Sequence, residues 1–220
     1  MPFDLGFKGV ELRPGEHLCG LYAGARQRDE ILLPFLRAGL EAGDKCICII
    51  DGAEASGILA ALGPLGTEST PAGVKRLDVM RAADVILRSG KFSAGETIAT
   101  WKAAVSEVMY LGQFGCIRAV QTWSQRDVGP DTSELLHLEA GMRHYLPLYP
   151  QVMLCLYDLE HFGGEIVSSV IKLHPRVLVG GMIVENPFYL TPDEISLTPE
   201  DILAASHSHV KESSANQRGE

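Results

Sequence analysis

His17–Asp51, HLCGLYAGARQRDEILLPFLRAGLEAGDKCICIID, is the most informative stretch of this chain for its fold. An apolar segment opens it, apolar residues at helical spacing follow, and a second segment that is apolar almost throughout closes it. A strand that does not alternate polar and apolar residues is typical of a parallel sheet covered on both faces. Gly43 marks the end of the helical pattern, as glycine often does. The stretch predicts a strand-helix-strand unit, with a right-handed crossover if the strands are parallel neighbours.

Residues 22–30, YAGARQRDE, are expected to form the loop between the first strand and the helix, where such units bind ligands. A phosphate-binding loop of the Walker type needs a Lys for the terminal phosphates and a Ser or Thr for the metal. This segment has neither, and it carries Asp29 and Glu30, so an NTPase is not expected. Arg26 and Arg28 could hold a ligand anion, although solvated surface arginines are the more common finding.

The rest of the chain continues the alternation of strands and helices. Strands are expected near 75–80, 115–123, 152–158 and 176–179, helices at 54–62, from 93 onward, at 130–145 and at 164–173, and a turn with a possible antiparallel ribbon at 180–189. This order predicts an α/β fold with a mostly parallel sheet of five to seven strands in three layers. Residues 1–13 are expected to be a lead-in, 14–205 the folded domain, and 206–220 a disordered polar tail.

Composition and charge narrow the class of protein. Hydrophobic residues make up 46% and charged residues 21%, as in ordinary globular proteins. The net charge of -9 argues against a general nucleic-acid or membrane-surface binder, which needs clustered Lys and Arg. No apolar run approaches the roughly 18 residues of a membrane span, and residues 1–15 lack the apolar core of a signal peptide. We therefore expect a cytoplasmic protein without direct nucleic-acid or membrane partners.

The five cysteines favour a reduced, buried state. They are Cys19, Cys46, Cys48, Cys116 and Cys155. An odd number without a signal peptide argues against a disulfide framework. A sharper alternative joins the pair His17 and Cys19 to the pair Cys46 and Cys48 on a neighbouring strand, because alternate strand residues share a face and could converge on a soft metal. No C-x2-C spacing supports this alternative, so our first prediction is that the chain binds no metal.

Catalytic patterns are incomplete. No G-x-S-x-G elbow occurs, and no glycine-rich dinucleotide fingerprint follows the first strand. His17 and Cys19 could share a strand face, but the sequence does not show that they act as base and nucleophile. Without a full set of catalytic roles, we predict that the chain is not an enzyme and needs no cofactor.

Several motifs, in order, resemble those of the MEDS domain, the sensory domain of DcmR-like regulators from methanogens and methylotrophs. The motifs are His17-x-Cys19-x-x-Tyr22, Pro34-Phe35-Leu36 with Gly39-Leu40-Glu41-Ala42-Gly43, Cys155-Leu156-Tyr157-Asp158, His174-Pro175-Arg176-Val177 and Glu185-Asn186-Pro187-Phe188-Tyr189. The resemblance covers residues 14–192. It implies a RecA/KaiC-like fold without a functional nucleotide loop and a sensor of small organic compounds, hydrocarbon or one-carbon derivatives. It also implies a stand-alone sensor whose output passes through a regulatory partner, a kinase or a transcription factor.

The resemblance also directs the choice of ligand-binding residues. They are His17, Cys19, Tyr22, Trp123, Glu139 and Asp158, with Asp51 at the same expected sheet edge. Such residues suit a small apolar ligand that is held by a few hydrogen bonds. Each also has a structural interpretation: a satisfied core histidine at His17, a helix cap at Asp158, and an ion pair of Glu139 with Arg143.

Two other functions stay open from the sequence. One is a protein-interaction or oligomerising regulator without a ligand, and homo-oligomers are plausible because KaiC-like relatives form rings. The other is a metal or redox sensor that uses His17 and Cys19.

Overall fold

The computed structural model describes residues 5–9, 13–50, 54–87, 90–123, 132–191 and 194. Two predictions lie outside these residues, namely the position of Asp51 and the disordered tail at 206–220. None of the helices in the described ranges combines the length and apolar character that a bilayer crossing requires.

Eight strands and six α-helices make up the described fold. The strands are β1 (Lys8–Gly9), β2 (His17–Tyr22), β3 (Lys45–Ile50), β4 (Leu77–Arg81), β5 (Ile117–Trp123), β6 (Gln151–Asp158), β7 (Arg176–Val179) and β8 (Met182–Glu185). The helices are α1 (Gly24–Ala42), α2 (Ala55–Leu62), α3 (Ala82–Ile86), α4 (Ala94–Tyr110), α5 (Ser133–Tyr145) and α6 (Gly164–Lys172). Short 3-10 helices cover Gly63–Thr67 and Leu146–Leu148.

All eight strands belong to one sheet in the order β1-β8-β7-β2-β6-β5-β3-β4. Every pairing is parallel except the hairpin of β7 and β8. The predicted α/β class and the mostly parallel sheet are therefore confirmed. The expected count of five to seven strands is too low, because the two-residue β1 is too short to give a sequence pattern.

The two strands of the first strand-helix-strand unit, β2 and β3, are not neighbours in the sheet. The right-handed crossover was predicted only for neighbouring strands. β6 and β5 lie between β2 and β3. The apolar pattern of a strand shows only that both of its faces are covered, and it does not identify the strands beside it. The alternative metal site on neighbouring strands is therefore wrong for Cys46 and Cys48.

The segment predicted as a ligand-binding loop is mostly helix. Only Ala23 separates β2 from α1, which begins at Gly24. Arg28 is buried on this helix and pairs with Asp29 and Glu54. These two carboxylates balance its charge, so this part of the chain leaves no cradle for an anion.

The sheet is covered on both faces, which gives two apolar cores. One core lies under α1 and α2 and contains Cys46, Cys48 and Tyr22. The other lies under α3, α4, α5 and α6 and contains Cys19 and Trp123. Because successive strand residues point to opposite faces, each central strand contributes to both cores. The second core holds the candidate site described next.

Candidate functional site

A small cavity lies in the second core, between the sheet and the helices α3, α4 and α5. Its lining residues are Ile49, Val85, Thr97, Trp101, Gln121, Trp123, Leu138, Glu139, Met142, Met153 and Cys155. The volume of the cavity that the centre of a water molecule can occupy is about 20 Å³. A cavity needs about 10–15 Å³ on this measure to hold one water, so the space suits a molecule of few heavy atoms.

Two polar groups at this cavity have no hydrogen-bond partner within the described residues. They are the amide Nε2 of Gln121 and the indole Nε1 of Trp123. Burial raises the pKa of the nearby Cys155 thiol well above its usual range, a shift that the Trp123 indole opposes only in part although it makes no hydrogen bond of normal geometry with the thiol. An unpaired buried donor costs about 1–3 kcal/mol, so an acceptor atom on a ligand would be favoured here.

A buried polar cluster adjoins the cavity. It consists of His17, Glu139, Cys155 and His174, and the ligand atoms that these residues could offer to a metal all lie within 4.8 Å of one another. All four side chains are buried. Glu139 and Cys155 belong both to this cluster and to the cavity wall. The cluster therefore borders the cavity directly.

Short distances join the four side chains of this cluster. His17 Nε2 lies 3.2 Å from Glu139 Oε2, 3.2 Å from Cys155 Sγ and 3.1 Å from His174 Nε2. His174 Nε2 lies 3.4 Å from Glu139 Oε2, and Cys155 Sγ lies 3.8 Å from the same oxygen. The four atoms thus form a compact group of potential metal ligands.

Four separate elements bring these residues together. His17 is the first residue of β2. The strand β6, which pairs with β2 in the sheet, carries Cys155 directly opposite Cys19. Glu139 lies on the buried face of α5. His174 follows α6, where its Nδ1 donates a hydrogen bond of 2.7 Å to the Val170 carbonyl. This bond fixes the ring so that Nε2 faces the cluster.

The charges in the cluster depend on burial and on its hydrogen bonds. Burial raises the pKa of Glu139, but His17, His174 and the Tyr157 hydroxyl together lower it to about 2. Tyr157 donates a hydrogen bond of 2.5 Å to Glu139 Oε1. Burial lowers the pKa of His17 to about 3, with a further decrease from His174 that Glu139 opposes. The ionisation of Glu139 and that of His17 are therefore coupled, since each charge favours the other while burial opposes both.

The structure brings three of the six predicted ligand-binding residues to this region and a fourth beside it. His17 and Glu139 belong to the cluster, and Trp123 lines the cavity. Cys19 packs in the same core and is close enough for Glu139 to contribute to the raised pKa of its thiol, after burial.

The two other predicted residues lie elsewhere. Tyr22 packs on the opposite face of the sheet, in the core under α1 and α2. Asp158 stabilises the turn after β6, where it accepts hydrogen bonds from the backbone of Glu160 and from the His161 ring. Asp158 therefore has a structural role close to the helix cap that was the alternative for it, but its hydrogen bonds stabilise a turn and not a helix end.

Sequence reasoning missed His174, Cys155, Tyr157 and Gln121. Two of the motifs that carry the family resemblance contain His174, Cys155 and Tyr157, so a signal for these residues was present. The cysteine pattern predicts only that Cys155 is buried, and His174 stands before a proline, which is typical of a helix end. Their convergence depends on β2 pairing with β6, which the sequence pattern does not show.

Comparison with known proteins identifies one family. The model of the family described as MEDS, MEthanogen/methylotroph, DcmR Sensory domain, matches residues 16–175. A comparison with curated proteins gives no match. The matched residues include all four members of the buried cluster. The predicted bounds of the domain, 14–205, extend beyond the match and stay a prediction.

Proposed function

Because the chain belongs to the MEDS family of sensory domains, we propose that it binds a small organic molecule in the cavity between the sheet and the helices α3 to α5. The ligand belongs to the class of one-carbon compounds or small hydrocarbon derivatives. Binding is signalled to a regulatory protein partner. The sensory description of the family agrees with the expectation that the chain is not an enzyme. The relationship to RecA and KaiC stays a prediction.

The observation that carries this proposal is a cavity with mostly apolar walls and a few polar side chains among its lining residues. Ligand sites of small molecules typically combine apolar walls with few oriented polar groups. Here the polar groups are Glu139 together with Gln121 and Trp123, whose donors have no partner within the described residues. A ligand with an acceptor atom would satisfy the donors, while its carbon atoms would contact Val85 and Met142.

The size of the cavity limits the ligand. A volume of about 20 Å³ for the centre of a water molecule is enough for one water. A molecule of a few heavy atoms fits if the lining side chains move slightly. Met142 and Met153 line the space, and methionine adapts its shape more readily than branched side chains do. Large ligands such as nucleotides are therefore not expected here.

A series of homologous compounds tests the proposal. Methanol and formamide, each with its two- to six-carbon homologues, are to be titrated against the full chain by thermal shift and calorimetry. We expect an increase in melting temperature for at least one short compound, because a ligand that binds only the native state stabilises it. The shift should disappear for the longest homologues. No shift at millimolar concentration for any member would contradict the proposal.

Substitution at the cavity wall supplies the matched control. Val85→Ile adds one methyl group to the cavity, whereas Val105→Ile adds the same group in the same core at a residue that does not line the cavity. Ligand affinity should fall about tenfold in the first variant, since a lost or blocked methylene is worth about 1–3 kcal/mol. The second variant should bind as the unaltered chain does.

A second candidate function is a protein-interaction module that acts without a ligand. It is favoured by exposed apolar side chains on the β7–β8 hairpin and after it: Val179, Met182, Val184 and Phe188. Contiguous exposed apolar residues mark interaction surfaces in many proteins. Sedimentation of the full chain distinguishes the two functions, since this surface should cause association without any added small molecule.

A further inference from the structure

We propose that His17, Glu139, Cys155 and His174 form a closed four-ligand site for a divalent transition metal, with zinc as the ion that fits best. Each residue supplies one ligand atom: Nε2 from both histidines, Oε2 from Glu139 and Sγ from Cys155. The site goes beyond the proposed function, because it requires no organic ligand in the neighbouring cavity. It also differs from the site considered from the sequence, which used Cys46 and Cys48.

Five of the six distances between the ligand atoms are within a few tenths of an ångström of those in a tetrahedral site. Zinc binds imidazole nitrogen and carboxylate oxygen at about 2.0–2.2 Å and thiolate sulfur at about 2.3 Å, which places ligand atoms about 3.3–3.6 Å apart in a tetrahedron. In the cluster the distances from His17 Nε2 to the other three atoms are 3.1, 3.2 and 3.2 Å. The two distances to Glu139 Oε2 from His174 and Cys155 are 3.4 and 3.8 Å. A small shift of these side chains gives the coordination geometry.

The orientation of His174 places its Nε2 toward the other three ligand atoms. Its Nδ1 donates a hydrogen bond to the Val170 carbonyl, so Nε2 is the nitrogen that could bind a metal ion. Glu139 Oε2 carries only lone pairs and lies 3.4 Å from that nitrogen. Five close contacts join the four ligand atoms. A cation at the centre would turn these contacts into coordination bonds.

The charge balance also favours a divalent ion. In the described part of the chain, the side chains that contact the Glu139 carboxylate are His17, His174, Tyr157 and Cys155, and none carries a fixed positive charge. His17 and His174 favour the charged form of Glu139, and Arg143 adds a positive charge near His17, whereas a divalent ion would bind the carboxylate directly. One divalent ion with one carboxylate, one thiolate and two neutral imidazoles has no net charge. On binding, the S–H bond of Cys155 breaks, the sulfur bonds to the metal, and the proton passes to the buffer.

Outer contacts hold two of the four ligands, His174 and Glu139, whereas His17 Nδ1 has no hydrogen-bond partner among the described residues. The second nitrogen of a ligating histidine typically donates to a carbonyl, as His174 does to Val170. The second carboxylate oxygen of Glu139 accepts a hydrogen bond from Tyr157. Imidazole and thiolate together select zinc and similar ions over magnesium or calcium, which prefer oxygen ligands.

Metal content and a cobalt spectrum test the site in the full, untagged chain. Protein from zinc-replete growth, purified without chelator, should contain about one zinc per chain by elemental analysis. After removal of the metal, Co²⁺ should produce visible bands of a tetrahedral ion together with a near-ultraviolet sulfur-to-cobalt charge-transfer band. The alternative to a metal ion is a proton shared among the four side chains. The proposal would be overturned if the purified protein contained no zinc and gave no charge-transfer band with Co²⁺.

Two cysteine variants locate the metal. Cys155→Ser should lose the charge-transfer band and bind Co²⁺ at least tenfold more weakly, because it removes the thiolate ligand. Cys19→Ser is the matched control, since Cys19 is as deeply buried and lies directly opposite on the neighbouring strand. It should keep the band. The reverse result would overturn the assignment, and the unaltered chain supplies the test if a variant does not fold. These readouts need no organic ligand, so they are independent of the sensory proposal.

Discussion

Gly39 shows how one absent side chain allows a helix to pack against a buried ion pair. A Cβ at this position would lie 2.7 Å from both Arg118 Cδ and Cys46 Sγ. Arg118 is fixed by a buried salt bridge of 2.7 Å to Asp44, so it cannot move aside without losing its partner. The glycine inside α1, which appears unfavourable from helix propensity, is therefore required by the sheet beneath it.

We predict that Gly39→Ala lowers the free energy of unfolding by about 1–3 kcal/mol, because overpacking a filled core has that cost. Gly57→Ala in α2 is the control, since nothing lies within 4 Å of its added Cβ. It should raise the free energy of unfolding by about 0.5–1 kcal/mol through helix propensity. Urea denaturation measures both. Equal effects of the two substitutions would show that the contact with Arg118 has no role.

Gln121 at the cavity differs from Gly39, because it has a buried polar group that makes no hydrogen bond within the described residues. Its Nε2 has no partner there. We predict that Gln121→Met raises the free energy of unfolding by about 1 kcal/mol, because it removes an unpaired polar group. The same variant should weaken binding of a short organic ligand about tenfold. Denaturation and calorimetry on one preparation measure both quantities.

Gln151→Met is the control for this prediction. Gln151 is buried too, but it accepts from the Trp101 indole and donates to the Leu146 carbonyl. Its loss leaves two groups unpaired, so the free energy of unfolding should fall by about 1–3 kcal/mol. If both variants were equally destabilising, Gln121 would have a structural partner and not a free donor for a ligand.

At the scale of elements, the sequence predicted the existence and type of most helices and strands but not their arrangement. The apolar run in 152–158 and the His174-Pro175 breaker are visible locally, as are the helix that carries Glu139 and the strand that carries His17. The cluster that these residues form depends on β6 lying beside β2, a contact between distant parts of the chain. Local patterns contain no information on that pairing, so the site was predicted only in part.

The β7–β8 hairpin is the element whose exposed residues suit contact with a partner. Met182 and Val184 share one face of β8, and Phe188 follows the strand, with 51%, 38% and 69% of their surfaces exposed. We predict that Met182→Ser with Phe188→Ser reduces association of the full chain, either with itself or with its regulatory partner, by about tenfold. Sedimentation and a pull-down from the native host measure this loss.

The control for the hairpin is Leu148→Ser with Tyr110→Ser, at exposed apolar residues outside it. Surface substitutions away from special contacts change stability by less than about 0.5 kcal/mol, so both double variants should stay folded. Equal loss of association in both would argue for general surface stickiness and against a specific surface on the hairpin.

At the scale of the whole molecule, one sheet supports two cores that have no helix in common. Cys46 and Cys48 lie in the core under α1 and α2, whereas Cys19 lies in the core that contains the cavity. Burial raises the pKa of Cys46 and Cys48 to about 12, and it also raises that of Cys19. The thiolate is the reactive form, so these thiols report directly on opening of each core.

We predict that iodoacetamide labels Cys19, Cys46 and Cys48 at one common rate in the native protein. β2, β6, β5 and β3 contribute side chains to both cores, so removal of either helix layer exposes strands on which the other layer depends. The common rate should rise with denaturant as the global free energy of unfolding falls, and mass spectrometry of peptides measures it. Faster labelling of Cys46 and Cys48 than of Cys19 would show instead that α1 and α2 open as a separate unit, leaving the cavity and the cluster intact.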